Sequence, residues 1–243
     1  MNAPLLHVTG LGKRFGGFVA LSDIDLDVQE GERLGLIGPN GSGKSTLVNC
    51  LCGTLRTDQG EVTFAGTRLN GLSPHRRIRL GIARSFQLPR PFGTMTLAEN
   101  VLVPILYAAE GKHHIASSHA RGRCLELLQM VGLDAKADVR PADLTQIEMR
   151  KLELARALAS EPRLLIADEA MAGLTHREVD DIIALLMRLN SQGVTIIMIE
   201  HIMRAVLAFS QRLVVLVAGR KIADGLPEAV VRQPDVVTAY LGS

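Results

Sequence analysis

Gly38-Pro39-Asn40-Gly41-Ser42-Gly43-Lys44-Ser45-Thr46 is the stretch from which the fold of this chain is read. It fits the pattern GxxxxGK[ST], with strand-like Arg33 to Ile37 before it and helical Leu47 to Leu51 after it. Each part has a physical reason. The glycines let backbone N–H groups converge on phosphate oxygens, and the following helix offers its positive N-terminal end. Lys44 reaches β- and γ-phosphates, and Ser45 can ligate Mg²⁺. A strand, a phosphate-binding loop and a helix in that order predict an α/β nucleotide-binding fold.

Outward from this loop, three apolar runs read as strands buried on both faces: Leu164 to Ala167, Val194 to Ile199 and Leu213 to Val217. Such strands form a largely parallel sheet. Between the first two, Val179, Ile182, Ile183, Leu186 and Leu189 recur at helical spacing and predict a helix over His176 to Asn190, lying on that sheet. The first sixty-odd residues differ. Ala20 to Val28 and Glu61 to Ala65 alternate and are broken by glycines, which predicts antiparallel strands. From Leu88 to about Ala159 helical patterns take over, in Thr96 to Ala109, Ser118 to Val131 and Met149 to Leu158, after the turn-rich Leu88 to Gly93. This segment reads as an inserted helical subdomain.

A second chemical signal is Leu164-Leu165-Ile166-Ala167-Asp168-Glu169, a buried strand ending in two carboxylates. Side chains at the C-terminal tip of such a strand face the ligand crevice of an open α/β sheet, here with the phosphate loop expected on a neighbouring strand. Asp168 is placed to hold Mg²⁺ through water, and Glu169 to orient and polarise the water that attacks a γ-phosphate. His201 follows the next buried strand, where its imidazole can donate to the γ-phosphate. Gln87 ends the segment Ile82 to Phe86 at the junction with the helical insert, and its neutral amide suits Mg²⁺ or the attacking water. Phe15, before Gly16-Gly17, offers an aromatic face for adenine.

Composition narrows the function classes. The 243 residues carry 27 basic and 25 acidic side chains for a net charge of +2, with 3% aromatics and no Trp, so no charged, stacking nucleic-acid surface is expected. The densest basic stretch, His75-Arg76-Arg77-Ile78-Arg79, reads as a solvated helix face. Cys50, Cys52 and Cys124 are too few and too oddly spaced for a disulfide framework, which favours free thiols in a reducing compartment. Met1-Asn2-Ala3-Pro4 opens no secretory leader. The longest apolar run, Val101 to Ala109, contains Pro104 and is far shorter than the roughly 18 residues of a membrane span. Any membrane association is therefore expected through another protein. His113, His114 and His119 lack a companion carboxylate or Cys at ligand spacing and read as surface residues.

The order Phe15, phosphate loop, Gln87, a helix beginning near Leu144, Asp168-Glu169 and His201 resembles the ATPase subunits of ABC transporters over essentially the whole chain. Within that family the chain is similar to the ATPases of branched-chain amino-acid importers. The likeness rests on Lys13-Arg14-Phe15-Gly16-Gly17, Arg84-Ser85-Phe86-Gln87, Leu152 to Leu158, Ala172-Gly173-Leu174 and the closing Ala239-Tyr240-Leu241-Gly242. The lipopolysaccharide-export ATPase is similar and shares the ending. The resemblance implies a P-loop NTPase with a mainly parallel RecA-like sheet, an antiparallel β subdomain and an inserted helical subdomain. Residues 1–87 and 160–243 would form the nucleotide-binding core and 88–159 the insert.

It further implies ATP and Mg²⁺ as cofactors and a head-to-tail pair of ATPase subunits. Two membrane permease subunits, indirectly a solute-binding protein, and a place on the cytoplasmic face of the inner membrane complete the expectation. Phe15, Gly38 to Thr46 and Lys44 would bind nucleotide; Ser45, Gln87 and Asp168 the metal; and Lys44, Gln87, Glu169 and His201 would carry the chemistry. The sequence departs from the family where Leu-Ser-Gly-Gly-Gln is usual. It has Leu144-Thr145-Gln146-Ile147-Glu148 instead, which loses both glycines and adds a carboxylate expected to repel the γ-phosphate. Thr175, where Asp or Asn is common, is a milder departure. These changes favour a heterodimer, in which a partner supplies an intact loop to this chain's nucleotide. A poorly hydrolysing regulatory subunit, a lipopolysaccharide-type exporter and a soluble ABC ATPase of DNA repair or translation are the alternatives.

Overall fold

The computed structural model describes residues 3–85, 89–108 and 117–241; Gln87, His113 and His114 lie outside them. At the start of the chain, β1 (Leu6–Phe15) and β2 (Phe18–Val28) pair antiparallel across a tight turn. The chain then opens a separate sheet with β3 (Arg33–Ile37), which leads through the phosphate loop into α1 (Lys44–Cys52). Next, β4 (Gln59–Phe64) and β5 (Thr67–Arg68) return to the first sheet, followed by α2 (Pro74–Leu80) and β6 (Ile82–Ser85). Three longer helices come next: α3 (Leu97–Ala108), α4 (Ser117–Met130) and α5 (Gln146–Leu158). The last third alternates β7 (Leu164–Asp168), α6 (His176–Ser191), β8 (Thr195–Ile199), α7 (Met203–Phe209) and β9 (Arg212–Val217). It closes with β10 (Arg220–Gly225), α8 (Pro227–Val230) and α9 (Pro234–Leu241).

Among the described residues the strands form an antiparallel sheet, β2-β1-β4-β5, and a mixed one, β10-β9-β3-β8-β7-β6. In the second sheet only the edge strand β10 runs antiparallel to its neighbour. Register aligns Leu36 with Ile199 and Ile199 with Asp168, so the C-terminal tips of β3, β8 and β7 end side by side. The expectation that the acidic pair sits on a strand neighbouring the phosphate loop is corrected here: β8 lies between β3 and β7. That insertion places the residues after β8 between the two ligand-facing tips, where a crevice forms.

Alternation along the strands of the mixed sheet sends neighbouring side chains into separate cores. Leu165, Ala167, Ile196 and Met198 face a cluster with α5, α6 and the helices between β6 and β7. Leu164, Ile166, Ile197 and Ile199 face α1 and the antiparallel sheet. Each side chain on such a strand is therefore buried, which explains the continuous apolar runs. Gly35 in β3 has its own reason: a Cβ there would approach Leu213 Cδ1 to 2.8 Å, so the close packing of α7's end and β9 on this strand requires glycine.

Packing revises one surface expectation and gives the Thr175 departure a structural role. Arg77, in the stretch read as a solvated face, is buried, and its guanidinium donates to the Cys50, Leu51 and Leu69 carbonyls at 2.7, 2.8 and 2.8 Å. It satisfies carbonyls left over at the end of α1 and ties that helix to the second β–α connection. Thr175 is the N-cap of α6 and forms a reciprocal capping box with Glu178. A threonine performs there the capping that Asp or Asn would perform.

Candidate functional site

The phosphate loop is shaped by backbone that only glycine tolerates. Gly38 and Gly43 have φ of 154° and 104°, and a Cβ on Gly43 would stand 2.8 Å from the Ala20 carbonyl oxygen. At Gly38 it would run into the Leu216 carbonyl. The loop is thus pressed against β2 and the end of β9 while its inner side stays open. Helix α1 starts without a side-chain cap and without an acid in its first turn, whereas α5 and α6 cap themselves with Thr and Glu. Its N-terminal N–H groups and dipole therefore suit an external anion.

Lys44 is buried beside this loop, with Nζ donating to the Gly38 and Pro39 carbonyls at 2.7 and 3.1 Å. Burial lowers its pKa, opposed by the nearby charges of Glu169 and Asp168. A cation so held exchanges weak neutral acceptors for phosphate oxygens when a nucleotide arrives, a stronger charge-assisted pairing. A cleft of about 240 Å³ is lined by Phe15, Phe18, residues 40–46 of the loop, Ala20 and Glu169. The structure thus brings the aromatic, the loop and Glu169 to one opening. Phe18, largely exposed beside Phe15, was not singled out from the sequence, because an aromatic in an alternating strand carries no sign of which cleft it borders.

Asp168, at the tip of β7, is buried and paired with Arg84 of β6, whose Nη2 and Nε donate to one carboxylate oxygen at 2.5 and 3.2 Å. The same guanidinium donates to Asn49 of α1 through Nη1 at 2.7 Å. Arg84 therefore bridges the phosphate-loop helix and the acidic strand. Next to it, Glu169 adopts φ of 48°, uncommon for a non-glycine residue, and its N–H donates to the Ile199 carbonyl at 2.9 Å. Its carboxylate meets His201 Nε2 at 2.7 Å. A carboxylate accepts, so the imidazole donates from Nε2. Strand β8, lying between β3 and β7, delivers His201 to this position.

Glu200, beside His201, is buried at 3% exposure and accepts from the Met171 N–H at 2.8 Å. Burial pushes its carboxyl up to about 7, resisted by the N–H groups of Met171 and His201. Neither Arg84 nor Glu200 stood out in the sequence as a site residue, since each acquires its role from a partner on another strand or loop.

The departing stretch Leu144 to Glu148 starts α5. Thr145 caps the helix, accepting from the Glu148 N–H at 3.4 Å, while the Glu148 side chain accepts from the Thr145 N–H at 2.9 Å. Lys136 also pairs with Glu148 at 2.6 Å, and this contact leads the lowering of its pKa. The Glu148 carboxylate is thus engaged by its own helix end and by Lys136, two partners that the reading of it as a charge facing phosphate does not include. The spacing T-x-x-E was the available signal for a capping box.

Among the described residues no three His, Cys, Asp or Glu side chains converge as a metal cage. The hard oxygens at hand, Ser45 and Asp168, match a Mg²⁺ that arrives with nucleotide phosphates and keeps several waters. No helix is long and apolar enough to cross a membrane among those residues.

Comparison with known proteins agrees with this geometry. The ABC transporter family model matches residues 21–172, and the model of branched-chain amino acid ATP-binding cassette transporters matches residues 220–243. The high-affinity branched-chain amino acid transport ATP-binding protein BraF of Pseudomonas aeruginosa is 37% identical, over 100% of this chain and 99% of that protein. LivG of Salmonella typhimurium, of the same description, is 38% identical with the same coverage. Among solved structures, the ADP conformation of an ATP-binding cassette of an ABC transporter superposes with a TM-score of 0.90 at 31% identity, covering 100% of both chains. A dimeric post-hydrolysis cassette bound to ADP and Pi superposes at 0.81 and 26% identity, over 91% of this chain and 98% of that one. A phosphate loop, an acidic strand tip and a His-Glu pair on one sheet edge, with kinship along the full length, make this chain an ATPase subunit of the ABC transporter family.

Proposed function

We propose that the chain energises an importer of branched-chain or related amino acids, working at the inner face of a membrane through permease subunits. The observation that carries this reading is the joint match of the whole chain to BraF and LivG and of its last 24 residues to the branched-chain cassette model. In this reading residues 1–87 and 160–243 are the nucleotide-binding core and 88–159 the helical subdomain. Phe15 stacks adenine, residues 38–46 cradle the phosphates, and Ser45, Asp168 and Gln87 hold Mg²⁺. Bound there, the metal would supply neutralisation of phosphate charge; Glu169 orients and polarises the attacking water, and His201 steadies Glu169 through its Nε2–H until an arriving γ-phosphate takes that N–H as its donor. An apolar cleft of about 500 Å³ between α2, β6, α3 and α5, with Ile78, Pro104 and Tyr107 on its walls, supports a permease contact beside Arg84.

The active unit in this reading is a dimer with a second, different ATPase subunit. Support comes from Ile147, whose side chain occupies a position where glycine would let backbone approach phosphate. A related cassette is dimeric with ADP and Pi. The partner's intact loop then completes the site on Lys44, Asp168, Glu169 and His201. Purification from gently solubilised membranes tests the reading. Recovery of permease subunits and a second ATPase, with turnover that is weak for this chain alone and strong in the complex, is the expected result. High cooperative turnover by the chain alone would remove the heterodimer. Stimulation by a solute other than branched-chain or related amino acids would replace the cargo.

A further inference from the structure

Glu169 stands in a backbone conformation that β-carbon sterics disfavour, and something must hold it there. One restraint is its own N–H on the Ile199 carbonyl. Two residues further, the chain turns inward at Ala170 and Met171, both buried, and the Met171 N–H points at Glu200 Oε1, 2.8 Å away. One residue further still, the Ala172 carbonyl accepts from Arg150 Nη2 at 3.2 Å and Gln146 Nε2 at 3.3 Å, both on α5. The turn that begins at Glu169 is therefore pinned by β8, by Glu200 and by α5.

Glu200 is unusual among these pins. A carboxylate in the interior that, among the described residues, has backbone N–H groups rather than a guanidinium or ammonium as its hydrogen-bond donors is costly to bury, and a neutral side chain could fill the same space. What only an acceptor of that length supplies is a partner for the otherwise buried Met171 N–H. Adjacent His201 holds the Glu169 side chain, so the pair Glu200-His201 grips the same residue from both ends: its backbone turn through Met171 and its carboxylate through Nε2.

We propose that Glu200 is a positioning residue for hydrolysis, fixing the turn Glu169 to Met171 so that the Glu169 carboxylate is aimed at the attacking water. This rests on reading Glu169 as the water-activating base. What matters is reach and an acceptor oxygen, because a displacement of about 1 Å at a reacting group can cost 10²-fold.

The test compares Glu200→Asp, which keeps the charge and shortens the reach, with Glu200→Gln, which keeps the reach and one acceptor oxygen, in the transporter assembled with its membrane partners. Glu200→Asp is expected to lower kcat about 10- to 100-fold with ATP affinity within about threefold of the natural chain. Glu200→Gln should restore kcat to within about threefold. Equal loss in both variants, or none in either, overturns the proposal, as does a parallel loss of ATP affinity in Glu200→Asp. An independent reading that needs no variant is amide exchange of the full chain. The Met171 amide should be protected as strongly as that of Glu169, and rapid exchange at Met171 alone would overturn the contact on which the proposal stands. Failure of the base assignment is read separately, from the turnover of Glu169→Gln with Glu200 intact.

Discussion

His201 Nε2 and Glu169 Oε1 lie 2.7 Å apart, so the loop after β8 holds the carboxylate that follows β7. The pairing lets the imidazole orient the base through its Nε2–H, a donor that developing phosphate charge can take over. His201→Ala is expected to lower kcat by about 10² to 10³, the usual loss when one preorganised donor is removed, with ATP affinity nearly unchanged. Steady-state turnover alongside equilibrium nucleotide binding checks it. A matching loss in both would assign His201 to ground-state binding instead.

Glu169→Gln keeps shape and the Ile199 backbone contact but removes the base. Hydrolysis should fall about 10² to 10⁴-fold while ATP still binds, because Ser45, Asp168 and Lys44 are untouched. Light scattering should then report a dimer that persists in ATP. Unchanged single-turnover rates would take the base role away from Glu169.

Lys44 is buried against carbonyls and carries a lowered pKa because of that burial. Lys44→Ala should therefore cost the fold little, with a melting temperature within a few degrees, while Mg-ATP affinity collapses for want of the loop's charged donor. Calorimetric titration and a thermal melt separate the two effects. Retained affinity would mean that the loop's N–H groups suffice.

Arg84 and Asp168 have side chains 14% and 8% exposed, and the guanidinium also holds Asn49. Removing one member of a buried pair leaves an uncompensated charge. Arg84→Ala is expected to destabilise the chain by about 3 kcal/mol in denaturant unfolding. A cost below about 1 kcal/mol would show that solvent reaches the carboxylate and screens it.

The folded-state carboxyl of Glu200 sits near 7 against an ordinary 4.5, with burial the leading cause and His201, Glu169 and Arg150 the charged groups around it. A raised carboxyl pKa means the folded chain binds the proton more tightly than the unfolded one. Stability from this group is therefore fully present below about 4.5 and is lost as pH rises through about 7. Glu200→Gln removes that dependence. Relative to the natural chain, it should gain roughly 2.5 kcal/mol between pH 5 and pH 8, the window in which the buried Glu200 of the natural chain gives up its proton. Urea unfolding of both chains at three pH values measures it, and a pH-independent difference would contradict the assignment.

Much of the site was legible in the sequence because its chemistry is local. Residues 38–46 need only their own order to form a phosphate loop, since the glycine conformations and the start of α1 are properties of adjacent residues. The buried strands and the helix at residues 176–191 likewise announced themselves by period, because a face covered by protein selects apolar side chains all along it. The capping role of Glu148 was legible in principle at a spacing of three, although the same residue invites reading as a charge at a phosphate. Only tertiary structure placed β8 between β3 and β7, buried Arg77 under the end of α1, paired Arg84 with Asp168 across 84 residues and brought Glu200 to Met171 across 29. Those contacts depend on which strands become neighbours in the sheet, a choice made by burial of whole faces rather than by the residues in contact. A buried charge or N–H then takes the partner that the packed neighbours bring within reach.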